Sequence, residues 1–238
     1  MPETWEQIRD EVHRRFREWG RQGAPARRYA LLVAGYCRTQ AEHLADQMAL
    51  TLRDGELVRL AEWVEAAADR PLTPAERADA TAVGAAVGAG VQACLSGSTN
   101  GGFLHNPFGV VDCLRTAFDD PLRAAGRLIG YPGVASEEGV WPPPSPPSYS
   151  SVRRVMDCLC PARWDPTADW TPPPEAVPWA RRMYEGRAFD ALPVLADLLE
   201  ESGCLDRPLL DHCRQSGDHF RGCAAVDRLL GHRWPNPT

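Results

Sequence analysis

At 238 residues the chain is long enough to bury one large core or two smaller ones, and its 44% apolar and 24% charged residues are ordinary for a folded protein. A net charge of −6 makes nucleic acid an unfavoured partner, because phosphates select basic surfaces. Every basic residue is arginine, which removes Schiff-base chemistry, a Walker-type phosphate lysine and a kinase-type lysine from this chain.

The start, Met1 to Trp5, runs straight into a charged amphipathic pattern with no apolar signal region. Trp5, Ile8, Val12, Phe16 and Trp19 recur at helical steps and predict a first helix ending near Gly20. Its arginines alternate with acidic residues and read as a solvated, self-paired face. A second helix is expected over Ala26 to Leu50 and a third over Glu56 to Ala68. Thr73, Pro74 and Glu76 then form a capping box with proline at the first helical position. The helix they open, Ala75 to Leu95, is built of Ala, Val and Gly, and such small side chains predict a central, closely packed element.

Ser96 to Gly102 reads as a loop, Asn106-Pro107 as a new helix start, and Pro121 as another. The longest low-charge stretch, Ala78 to Gly102, is too weakly apolar to span a bilayer. From Gly130 to Ser150 the chain is proline-rich, with Pro142-Pro143-Pro144 and Pro146-Pro147, and reads as an extended connector. A short helix should follow Ser151, then an irregular stretch holding Trp164 and Trp170. Helices are expected over Glu175 to Glu185 and Ala191 to Ser202, the latter only if Pro193 lies in its first turn. Asp206 and Pro208 open the next, and Asp218 a last helix ending at Gly231. No segment alternates with period two. The expectation is an all-α fold, a multi-helix bundle over 1–130, a Pro-rich linker over 131–150 and a compact helical module over 151–238.

Four features of the C-terminal part carry a resemblance. They are Ala188-Phe189-Asp190-Ala191-Leu192-Pro193-Val194-Leu195-Ala196-Asp197, then Glu201-Ser202-Gly203-Cys204, then His212-Cys213-Arg214, then His219-Phe220-Arg221-Gly222-Cys223. This pattern resembles the tail of a large uncharacterised bacterial paralogous family with Ala-rich helical middles. The resemblance covers about Asp165 to Gly231 and is faint over Tyr29 to Arg38. Two departures stand out: the upstream helix keeps only Cys37 where relatives show several cysteines, and Ala224 replaces a Trp. The resemblance implies architecture and lends no activity.

Eight cysteines without a secretory segment imply a cytoplasmic protein with reduced thiols serving as core residues, metal ligands or reactive groups. The richest constellation is Cys204, His212, His219 and Cys223, with Cys213 beside them. Zinc takes three or four such ligands tetrahedrally, and His219 and Cys223, four apart on one expected helix, would share a face. The competing reading makes Cys223 a small core residue and Cys204 a packing residue at a helix end. Cys158-Leu159-Cys160 is a second thiol pair, near the break at Pro161, and its joining to Cys204 or Cys223 is the weaker alternative. A thiol nucleophile, Cys213 or Cys223 with His219 and Asp211 or Asp218, has suitable residue types, with Arg214 and Arg221 to lower a thiol pKa, but no nucleophile motif surrounds it. Several tryptophans, Trp141, Trp164, Trp170, Trp179 and Trp234, flank the linker and the module as packing or partner-binding residues. Two functions are expected: foremost, a non-enzymatic helical protein–protein interaction module with an exposed apolar patch, and second, a zinc- or thiol-dependent protein using the His/Cys cluster.

Overall fold

The computed structural model describes residues 3–48, 55–97, 113–129, 146–160, 171–215, 217 and 219–232. Among these, every regular element is a helix and no strand occurs. In chain order they are α1 (Trp5–Arg21), α2 (Ala26–Met48), α3 (Glu56–Asp69), α4 (Pro74–Gly97), α5 (Pro121–Leu128), α6 (Pro146–Leu159), α7 (Ala176–Gly186), a 3-10 turn (Phe189–Ala191), α8 (Leu192–Glu201), α9 (Arg207–Arg214) and α10 (Ala224–Leu229). The start at Asn106-Pro107, the linker over 131–145, and Trp141, Trp164, Trp170 and Trp234 lie outside the described residues. No helix among the described residues is long and apolar enough to cross a membrane. The chain divides into two compact units, Met1–Arg21 with Pro25–Arg153, and Gln22–Ala24 with Arg154–Thr238.

In the first unit α2 is buried without interruption from Tyr29 to Cys37. A helix apolar all round must be enclosed, and α2 packs against both α3 and α5. Phe16 and Trp19 of α1 meet the Tyr29 ring edge-on at 5.4 and 5.9 Å. The α4 cap forms as its residues dictate: Glu76 accepts from the Thr73 N–H at 2.8 Å, and Thr73 Oγ1 accepts from the Glu76 N–H at 3.3 Å. The expectation of a central α4 is corrected over its first four turns. Ala80, Val83 and Val87 form one buried stripe, while Thr81, Ala82, Ala85 and Ala86 face solvent. Of the described glycines of α4, Gly84 stands at a close approach, where a Cβ would lie 3.4 Å from Arg115 Cγ, and Gly88 has nothing within 4 Å.

Helix α6 corrects the proline-rich reading, since it begins at Pro146 rather than after Ser151. Two prolines in a first turn sacrifice no intrahelical hydrogen bond, because N–H groups there have no partner in any case. Likewise Ser96 and Gly97, expected in a loop, complete α4.

The second unit stacks short helices: α8 packs on α9 and on α7, and α10 on α7. Pro193 sits in the first turn of α8, as that helix requires. Asp206 caps α9 by accepting from the Leu209 N–H at 3.2 Å. Gly203, at φ 89, ends α8 in a Schellman motif: its N–H donates to Glu200 O at 3.0 Å and the Cys204 N–H to Leu199 O at 3.0 Å. The last helix is shorter than expected. It begins at Ala224, and Phe220 to Cys223 form a turn closed by the Cys223 N–H donating to Phe220 O at 2.8 Å. Gly222 takes φ 87 at the third position, which in such a turn calls for glycine.

Candidate metal centre

Helix ends and the turn before α10 bring four ligand-type side chains to one point of the second unit. Cys158 lies in the last turn of α6, His212 in the last turn of α9, His219 between α9 and α10, and Cys223 directly ahead of α10. One ligand atom from each, two thiol sulfurs and two imidazole nitrogens, lies within 4.8 Å of every other. Cys158 Sγ is 3.7 Å from His219 Nδ1, Cys223 Sγ is 3.9 Å from the same nitrogen, and His212 Nε2 is 3.3 Å from Cys223 Sγ. With Zn–S near 2.3 Å and Zn–N near 2.0 Å, the edges of a tetrahedron run about 3.3 to 3.8 Å. The measured separations straddle that range. Cys158, His212 and Cys223 are buried and His219 is half-buried.

Three residues of the sequence-derived set, His212, His219 and Cys223, come together, and Cys204 does not join their group. Cys204 is instead the last residue of the Schellman motif, buried behind its own helix end. Cys158 fills the fourth place. Cys160, its C-x-C companion, is half-buried and outside the group. His219 and Cys223 do not share a helix face either. The tight turn at Gly222 returns the chain so that both reach the same point, and the His212 and His219 rings stand edge to face at 5.0 Å.

The surroundings suit a charged sulfur pair. The Phe220 backbone N–H donates to Cys158 Sγ at 3.3 Å, a contact that favours the thiolate. Burial alone would raise the Cys223 thiol, but its contacts with Cys158, His212 and His219, and the charge of His212, outweigh this and hold it well below the ordinary thiol range. Burial pushes the Cys213 thiol the other way, with Cys223 and Cys204 adding to the rise, and burial also raises Cys204. A thiol nucleophile at Cys213 therefore lacks the depressed pKa such chemistry needs. His219 Nε2 lies 3.4 Å from Gln215 O. A proton held there leaves Nδ1 as the lone pair aimed at the two sulfurs, the arrangement by which metal-bound histidines fix their tautomer.

The turn that carries two of the ligands is pinned on both sides. Arg221, between His219 and Cys223, lays its guanidinium over the Tyr184 ring of α7 at 4.6 Å. Beyond the turn, Arg228 of α10 donates to Asp206 at 2.7 Å, the same carboxylate that caps α9. Arg214, the other arginine that the sequence set beside the thiols, bonds Asp197 and Glu200. Asp218 is outside the described residues. Comparison of the chain with protein-family models, with curated proteins and with solved structures finds no match.

Proposed function

We propose that the C-terminal module is a zinc-binding module whose ion is held by Cys158, His212, His219 and Cys223. The observation that supports this most is the mutual closeness of the four ligand atoms, all within 4.8 Å, with Cys158 reaching the other three from more than fifty residues away in the chain. Two sulfurs and two imidazoles select zinc or a similarly soft ion over magnesium or calcium, which take oxygen. Four protein ligands complete a tetrahedron and leave no position for water or substrate, so the ion's task is structural. It ties the end of α6 to α9 and to the turn before α10. A filled shell also favours a non-enzymatic role for the module, that of a helical unit presented to another protein.

Full-length protein purified without chelator or histidine tag, then analysed for metal, tests the reading. One zinc per chain is expected, together with the visible absorption of tetrahedral thiolate coordination when cobalt(II) replaces it. A Cys158→Ser variant that retains zinc with unchanged affinity would remove Cys158 from the site. Metal-free protein that takes up neither ion would end the proposal.

A further inference from the structure

The two thiols of the cluster lie within 4.8 Å of each other, as they do of the imidazoles. We infer that Cys158 and Cys223 are a redox pair whose disulfide and whose bound metal exclude one another, so that a peroxide switches the module from a metal-tied to a disulfide-tied state. This rests on the zinc reading for the exclusion, but the pairing itself stands on geometry. The sulfurs lie within 4.8 Å of each other and need to close to about 2.05 Å. Cys158 lies in the last turn of α6, and Cys223 at the end of the Gly222 turn. Cys204, which ends the α8 cap, and Cys213, in the last turn of α9, do not belong to the group of four.

His219 supplies the base. Its Nδ1 lies 3.7 Å from one sulfur and 3.9 Å from the other, so it can take the proton of either thiol in the metal-free site. The thiolate attacks a peroxide oxygen, the O–O bond breaks, and a sulfenic acid forms while the departing hydroxide takes the proton back from His219 as water. The second sulfur, its proton likewise passed to Nδ1, attacks the sulfenic sulfur. The S–S bond forms, the S–O bond breaks, and a second water leaves. Two thiols and one hydrogen peroxide give one disulfide and two waters, the sulfurs losing the two electrons that the oxygens gain. Two imidazoles remain, too few to hold the ion. With zinc in place both sulfur lone pairs are engaged and reaction is slowed.

The test treats metal-free, full-length Cys160→Ser protein with hydrogen peroxide and maps tryptic peptides, because residues 155–163 and 222–228 then carry one cysteine each. The expected result is a link between those two peptides, loss of zinc uptake by at least tenfold, recovery of both on reduction, and slower linking when zinc is bound beforehand. Oxidation at Cys213 or Cys204 with no such link would overturn the pairing while leaving zinc binding by the reduced protein intact. Linked protein that still takes up zinc would overturn the exclusion. A link formed in protein whose reduced state never binds zinc would sink the exclusion and the metal reading together, and metal analysis of the reduced sample identifies that case.

Discussion

The two units bury polar side chains by opposite means. In the first, Glu65 is 1% exposed and is answered by Arg38, whose guanidinium donates to both carboxylate oxygens at 2.7 and 3.2 Å; the charges are closed within the protein. In the second, the buried His212 and Cys223 meet Cys158 and His219 in an arrangement of lone pairs. A pair of opposite charges is complete by itself. A cluster of four donors to a cation is complete only with the cation, so one unit should answer to metal supply and the other should not.

Removing the ion gives the largest expected difference. Chelation at a zinc level about 100-fold above the dissociation constant withdraws about 2.7 kcal/mol, worth about 10–20 °C in a unit of this size. Hydrogen exchange on the intact chain should show the loss of protection in α9 and α10 and none in α2 or α3. Equal loss in both would break the contrast. The reciprocal change, Glu65→Ala, leaves Arg38 with Glu62 at 3.5 Å and should cost about 2 kcal/mol in the first unit, with zinc stoichiometry unaltered. A fall in bound zinc in that variant would show that the units are not separately stabilised.

Smaller changes sharpen the picture within the second unit. Gly222→Ala forces a left-handed residue into the ligand turn at a cost of about 1–2 kcal/mol, and zinc affinity should drop about tenfold; an unchanged affinity in a competition titration would mean that the turn does not set the site. Cys204→Ser should leave zinc affinity within about twofold, while Cys158→Ser lowers it beyond the 10- to 100-fold typical of supporting residues. The reverse order would restore the set read from the sequence. The smallest effect belongs to the first unit. Arg70 and the Thr73 cap lower the Glu76 carboxyl from 4.5 to about 2, so the cap's stabilisation is full above pH 4.5 and fades as pH falls toward 2. Glu76→Gln should flatten that part of the acid-stability profile, and an undiminished slope would assign it to other groups.

Legibility in the sequence followed the range of the interaction. Capping signals act over three or four residues, and the starts at Thr73 and Asp206 are where their side chains place them. In α2 the sequence pointed to one inward face, whereas Tyr29 to Cys37, a run with no charged side chain, is buried on every side. Small residues in α4 were ambiguous, since alanine suits a tight interface and an exposed helix equally, and here most of the face is exposed. His219 and Cys223 were found for an incomplete reason: their spacing fits a helix face, but the chain uses a glycine turn. The joining of the Cys158–Cys160 pair to Cys223 was the weaker alternative, because distance along the chain gives no sign of which helix ends meet, and of that pair Cys158 alone joins the group. Cys204 looked equivalent and is not, because Gly203 commits it to ending α8.

X-ray absorption at the zinc edge of the full-length protein would address the four-ligand centre without intermediaries. Two sulfurs at about 2.3 Å and two nitrogens at about 2.0–2.1 Å are the expected shell. A shell of oxygen and nitrogen alone, or three sulfurs with a single nitrogen, would contradict the assignment of Cys158, His212, His219 and Cys223.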